Sequence, residues 1–187
     1  VGGTVTAGGG GDVTLSTTAT GDVILTGTTT AAGDQVQVNS VGSINGSGLV
    51  TAGTVDLNAG TGIGDTAALE LAAGTITADS TAGDIDIDNA LGTAVTVTSL
   101  TTGGTGSVTF EQSGGGEVSF TTVSTADGSV VLANAGADLT VGGTVTAGGG
   151  GDVTLSTTAT GDVILTGTTT AAGDQVQVNS VGSINGS

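Results

Sequence analysis

The sequence predicts an all-β protein, a parallel β-helix or solenoid in which the chain winds through stacked coils. Three observations support this prediction. Short segments alternate apolar and polar residues, glycine-rich turns separate these segments, and similar segments recur along the whole chain. Alternation with a period of two is typical of strands that bury one face. Recurrence of one such unit favours a solenoid, in which every coil is covered by its neighbours.

The individual strands are predicted from this alternation. Val13 and Leu15 are expected to point inward, while the residues between them point outward. The only aromatic residues, Phe110 and Phe120, occupy inward positions and are expected to fill a wider section of the core. No segment has the spacing of an amphipathic helix. The strand-like pieces are GDVTLST, GDVILTG, DQVQVNS, TVDLNAG, ALELAAG, GDIDIDN, AVTVTSL, GSVTFEQ, GEVSFTT, GSVVLAN and ADLTVGG.

The chain contains a long internal repeat. Residues 1–47 and 141–187 are identical, so the period is 140 residues. Residues 1–140 are read as one complete repeat and 141–187 as the start of the next, identical repeat, in one continuous solenoid. Asn39 and Asn58 hold matching places 19 residues apart, as expected of a stacked position. We expect about seven coils per repeat, starting near Gly11, Asp34, Thr54, Thr75, Thr93, Glu117 and Ala137.

Two other structural classes are weighed against the solenoid. Glycine, serine and threonine with acidic charge is also the composition of a disordered linker. A linker, however, has no reason to maintain strand alternation or an enrichment in β-branched residues. A β-sandwich or a closed barrel would accommodate the strands, but neither explains an open-ended tandem array.

The composition limits the partners of this chain. It contains 17 Asp and Glu and no Lys, Arg or His, which gives a formal charge of −17. Nucleic-acid binding is excluded for this segment because phosphates need basic residues. The absence of cysteine excludes disulfides and thiolate metal sites. No apolar run reaches the length of a membrane span, so we expect no membrane insertion of this segment.

The pieces GDVTLSTTATGDVILTG, GGTVTAGG and GSVVLANAG resemble the repeats of filamentous-haemagglutinin-like giant adhesins of Gram-negative bacteria. The resemblance covers essentially the whole chain. It implies a right-handed parallel β-helix, export to the cell surface, and a role as a shaft that holds adhesive parts away from the cell. It brings no binding or catalytic residue with it.

The candidate chemistry is limited to one acidic cluster. GDIDIDN places Asp84, Asp86 and Asp88 on one strand face, and oxygen ligands of this kind suit calcium. These residues are calcium candidates, but diffuse cation screening is the preferred reading. We expect no catalytic residue and no cofactor other than possible calcium, because paired carboxylates alone, without a cleft, do not make a glycosidase.

Two further motifs have structural readings. The glycine runs Gly8 to Gly11 and Gly114 to Gly116 are expected to be turns, since a phosphate loop needs a following helix. The pairs Thr4/Thr6, Thr75/Thr77 and Thr96/Thr98 suggest an ice-binding face, but their irregular spacing in the sequence argues against it.

The function expected from these observations is structural and non-enzymatic. The chain is read as the shaft of an extracellular fibre, either a giant cell-surface adhesin or a filament of a biofilm matrix. Its partners are expected to be other coils or subunits of the same protein, end to end, with a cell-surface or matrix polysaccharide as a further candidate. The alternative is a binding module that uses an acidic face for calcium or carbohydrate.

Overall fold

The computed structural model describes residues 1–186 and contains strands but no helix among them. The strands follow one another in the order β1 (Val5–Ala7), β2 (Val13–Ser16), β3 (Val23–Ile24), β4 (Thr29–Ser40), β5 (Ile44–Asn45), β6 (Val50–Ala59), β7 (Leu69–Ser80), β8 (Ile85–Asn89), β9 (Val95–Thr102), β10 (Val108–Gln112), β11 (Val118–Thr125), β12 (Val130–Asn134), β13 (Leu139–Ala147), β14 (Val153–Thr157), β15 (Val163–Leu165), β16 (Thr168–Ala171), β17 (Val176–Asn179) and β18 (Ile184–Gly186). Every strand pair is parallel, which confirms the predicted solenoid.

A complete coil contributes three strand segments, which we call sides 1, 2 and 3 in the order in which the chain visits them. In the coil between β6 and β7, side 1 is reduced to the bridging residue Ile63. Side 1 consists of β3, β5, β8, β10, β12, β14 and β17. Side 2 consists of β1, residues 29–31, 50–52, 69–73, 95–97, 118–120 and 139–141, β15 and β18. Side 3 consists of β2, residues 35–40, 54–59, 75–80, 99–102, 122–125 and 144–147, and β16.

The coils average about 22 residues, slightly more than the 20 expected from the sequence, and about eight of them are stacked. Starting from Val23, the column of paired residues reaches Val153 after six coils. The identical counterpart of Val23 is Val163, ten residues further along the chain. The 140-residue unit therefore spans six coils and a part of the next. The expectation of about seven coils counted this last part, from Ala137 to Gly151, as a whole coil.

The core is a single apolar column inside the coils. Alternate residues of every strand point into it, as in β8, where Ile85 and Ile87 are buried and the aspartates between them are not. Phe110 and Phe120 are both completely buried and meet edge to face, with ring centroids 5.4 Å apart. This geometry is favourable for aromatic pairs. The expected position of both rings in the core is confirmed.

Glycines let successive coils approach closely where side 3 turns into side 1. A Cβ atom on Gly106 would lie 2.2 Å from the carbonyl oxygen of Gly83 in the coil below. The same contact recurs upward, because a Cβ on Gly128 would meet Gly106 and one on Gly151 would meet Gly128. These glycines precede β8, β10, β12 and β14 in turn. This column of glycines is therefore required for the close approach of the coils at the corner. The predicted turns Gly8 to Gly11 and Gly114 to Gly116 also lie between strands.

A buried amide closes a gap where the column of coils changes shape. The first residues of β7 pair with β8, whereas residues 75–80 of the same strand pair with β9. Ala73 lies between these two ladders. The side chain of Asn89 accepts a hydrogen bond from the Ala73 amide at 2.9 Å and donates to its carbonyl at 3.1 Å. A side chain therefore replaces the strand neighbour that the backbone does not provide at this point.

Two further buried amides continue this corner in the coils above. Asn89 donates to the side-chain oxygen of Gln112 at 2.8 Å, and Gln112 donates to the carbonyl of Leu91. Asn134 donates to the carbonyls of Gly116 and Asp138. All three amides are fully buried. Because each one is hydrogen-bonded, the corner contains polar side chains without leaving them unsatisfied.

Candidate functional site

The acidic cluster lies on the outer face of side 1, as the sequence predicted. Asp86 and Asp88 belong to β8 and are half-buried, while Asp84 precedes the strand and is exposed. The register places Asp88 between Glu70 of β7 and Glu111 of β10. Three carboxylates in three successive coils therefore form a ladder, with neighbouring strands about 4.8 Å apart. The sequence did not predict this ladder, because its members are 18 and 23 residues apart.

This crowding changes the acidity of two carboxyl groups. Partial burial raises the pKa of Asp86, and the charges of Asp84 and Asp88 raise it further. Partial burial also raises the pKa of Glu70, with a second contribution from the charge of Asp88. Both effects disfavour the ionised form, since no basic side chain exists in the chain to offset the negative charge.

The three predicted calcium candidates share a face but do not converge on one point. The Asp84 carboxylate accepts a hydrogen bond from the amide of Ser107 at 2.8 Å, and the Asp88 carboxylate accepts one from the Ser113 hydroxyl. In the part of the chain that the structure describes, no group of three or more His, Cys, Asp or Glu side chains is arranged to hold a metal ion. Calcium binding by Asp84, Asp86 and Asp88 stays a prediction.

Several aspartates serve a structural role that the sequence reading missed. Each follows a glycine or an alanine just before a strand, and its carboxylate accepts a hydrogen bond from a backbone amide in the coil above. Such bonds to a charged acceptor are stronger than neutral ones. The donor amides and their acceptors are Gln35 to Asp12, Ser43 to Asp22, Ser107 to Asp84, Asp162 to Asp138, Gln175 to Asp152 and Ser183 to Asp162, at 2.7–3.0 Å. The recurring Gly-Asp-Val motif was the signal in the sequence.

Replacing Asp86 with asparagine is expected to stabilise the protein at neutral pH. The folded state raises the pKa of Asp86, so ionisation of this group above that pKa disfavours folding, and protonation at low pH removes the penalty. The melting temperature of Asp86→Asn should therefore exceed that of the parent at pH 7 and converge with it at about pH 3. Glu117→Gln removes the same charge from an exposed side chain outside β8 and is the control. An equal gain in both variants at pH 7 would contradict a local cause.

A shallow depression of about 440 Å³ lies at the end of side 3. Asn39 and Asn58 stand in register there, and the Asn58 amide donates to the Asn39 side-chain oxygen at 3.0 Å. This confirms the matching places expected from the sequence. Asp79 lies in the next coil and accepts a hydrogen bond from Thr101. The depression therefore presents amide, hydroxyl and carboxylate groups, which can bond a polar ligand. It is lined by Thr17, Asn39, Ser40, Val41, Asn58, Ala59, Gly60, Asp79 and Thr81.

The hydroxyl residues of side 3 are more regular in space than in the sequence. Their spacing along the chain was expected to prevent a constant ladder. The structure instead brings one outward residue per coil into register, namely Thr77, Ser99, Thr122, Thr144 and Thr168. The number of residues between these side chains varies along the chain, and corners of different length accommodate this variation.

Comparison with known proteins gives no match, since no family model, curated protein or solved structure is similar to this chain. Among the described residues there is also no helix long and apolar enough to cross a membrane. The parallel β-solenoid is therefore established by the structure itself.

Proposed function

We propose that this chain is a length of structural shaft in an extracellular fibre, without enzymatic activity. The fibre is a giant bacterial surface adhesin or a matrix filament, in line with the resemblance of its repeats to filamentous-haemagglutinin-like adhesins. The coils stack on one another along one axis, and a stack of this kind lengthens by adding units without any change of design.

The observation that carries this proposal is the unbroken stack of coils, which runs from the first copy of the repeat into the second. Val153 of the second copy pairs with Val130 below it and with Val176 above it, as Val13 pairs with Val36 in the first copy. Val36 and Ile44 are completely buried under the following coil, whereas their counterparts Val176 and Ile184 in the last coil of the 187-residue chain are 42% and 56% exposed. A coil of the same kind from a second chain can cover these side chains and pair with the strand edges there.

The proposal is tested by the association of the 187-residue chain. We expect end-to-end oligomers whose size increases with concentration in sedimentation velocity, despite the charge of −17. Ile184→Asp places a charge on the open edge and should reduce this association. Val131→Asp, on an exposed side chain in the middle of side 1, is the matched control and should not. A parent chain that stays monomeric at all concentrations would contradict the shaft.

The alternative function is a binding module for carbohydrate or calcium, and the depression around Asn39, Asn58 and Asp79 favours it. No aromatic side chain lines this depression, although aromatic rings are the usual platforms for sugars. Calorimetric titration with soluble oligosaccharides and with Ca²⁺ tests this function. A saturable binding heat that is abolished in Asn58→Ala would favour the binding module. Heats no larger than those of dilution would contradict the binding module and favour the structural shaft.

A further inference from the structure

We propose that consecutive 140-residue units are turned by just under half a turn about the solenoid axis, so that the shaft repeats every two units. This inference rests on the proposed shaft, but it concerns how one unit docks on the next. The partner at this interface is a second copy of the same unit.

The first observation is that identical residues lie in different columns of paired residues. Val13 of β2 is connected through successive coils to Val141 of β13, whereas its counterpart Val153 of β14 lies in the column of Val23. Within each copy the pairing is the same, since Val13 pairs with Val36 and Val153 pairs with Val176. The segment therefore folds in the same way twice but at a different position around the axis.

The size of the turn follows from the columns of paired residues. The column of Val23 reaches Val153, which is the counterpart of Val13. The column of Val13 reaches Leu165, which is the counterpart of Leu25. A column that starts at the position of Val23 therefore reaches the position of Val13 in the next unit and that of Leu25 in the unit after it. Two successive units thus return the column to within two residues of the position at which it started. One unit accounts for six coils and nearly half of another.

This turn has a mechanical consequence for a shaft. The coils of one unit are unequal, since paired residues are as few as 18 apart, at Leu71 and Asn89, and as many as 24 apart, at Val5 and Thr29. If these unequal coils bend a unit, units in one orientation would add their bends into an arc. A near half-turn between units sets any such bend against that of the next unit, so the bends do not accumulate along the shaft.

The turn also determines how a unit presents its surface. The acidic strand β8 lies on one side of this unit, and its counterpart in the next unit faces the opposite direction. A partner that recognises any outward feature of the unit therefore meets it alternately on two opposite sides of the shaft. The spacing between equivalent features on the same side is two units, or about 62 Å at about 4.8 Å per coil.

Distances between pairs of spin labels on the 187-residue chain test the proposed rotation between consecutive units. The chain has no cysteine, so introduced cysteines are labelled specifically. Thr154→Cys is combined either with Ile24→Cys, which lies six coils below it in the same column, or with Thr14→Cys, its identical counterpart. The Ile24–Thr154 distance should be about 29 Å, and the Thr14–Thr154 distance should be longer by roughly 5–10 Å because the labels lie across the core.

The outcomes distinguish the turn from the shaft. An excess of unlabelled chain removes distances between molecules, and thermal unfolding of each variant verifies that the coils remain folded. If a unit spanned a whole number of coils, Thr14 and Thr154 would lie in the same column and their distance would be the shorter one. Equal or inverted distances overturn the proposed turn but leave end-to-end association intact. If the chain stays monomeric while both label distances are as predicted, the result contradicts the shaft and still supports the rotation between units.

Discussion

Gly106→Ala is expected to destabilise the solenoid by about 3 kcal/mol or more, although it adds only one methyl group. The added Cβ would lie 2.2 Å from the carbonyl oxygen of Gly83 and 2.7 Å from its carbonyl carbon. These atoms belong to the backbone of the coil below, so no side chain can move aside. The two coils must separate, which lengthens the hydrogen bonds on both sides of the corner.

The matched control is Gly150→Ala, in the corresponding corner two coils above. A Cβ on Gly150 would meet nothing within 4 Å, and its residue is exposed. This variant should stay within about 0.5 kcal/mol of the parent in urea or thermal unfolding. Equal stability of the two variants would show that the coils do not approach each other as closely as described.

Asn89→Ala is expected to lower the free energy of unfolding by about 3 kcal/mol, through loss of a buried amide. Removal of the side chain leaves the Ala73 amide and the Gln112 side-chain oxygen without their partner in a site that water does not reach. Urea unfolding measures the loss.

Asn58→Ala is the control for this prediction. The side chain of Asn58 also makes hydrogen bonds, to Asn39 and Asp56, but it lies on the half-buried outer face where water replaces them. Its loss should cost less than about 1 kcal/mol. A similar loss in both variants would contradict the proposed role of Asn89 as a substitute for a strand neighbour.

Much of the fold could be predicted because alternation reports directly on burial. Val13, Leu15, Phe110 and Phe120 all face inward as expected, although Leu15 in the lowest coil is only partly buried. The register of Asn39 with Asn58 was also visible, since the same four-residue pattern precedes the same turn in both coils. The handedness of the coil stays a prediction.

The position of the repeat boundary within a coil could not be predicted, because corner lengths decide it and the glycine-rich turns do not show how many residues each corner takes up. A bulge between Phe120 and Thr122 shifts the register within one strand, and it has no distinctive residue. The predicted starts from Gly11 to Ala137 follow the coils well. The expected number of about seven coils per unit includes the last, partial coil, because a repeat does not end where a coil ends.

The buried amides and the carboxylate ladder were missed for a related reason. Asn89, Gln112 and Asn134 are the last residues of GDIDIDN, GSVTFEQ and GSVVLAN, and they occupy inward positions. A polar residue at an inward position recurring in three coils was a usable signal. The contact of Asp88 with Glu70 and Glu111 was not, since it depends on the register between coils.

Electron cryo-microscopy of a chain with four or more consecutive 140-residue units tests the central claim most directly. The account predicts a straight rod with strands perpendicular to its axis, a spacing of about 4.8 Å between coils, and an advance of about 31 Å per unit. An advance of about 34 Å would mean seven whole coils per unit and would contradict the partial coil. An antiparallel sheet, or strands that do not stack along the long axis, would contradict the solenoid itself.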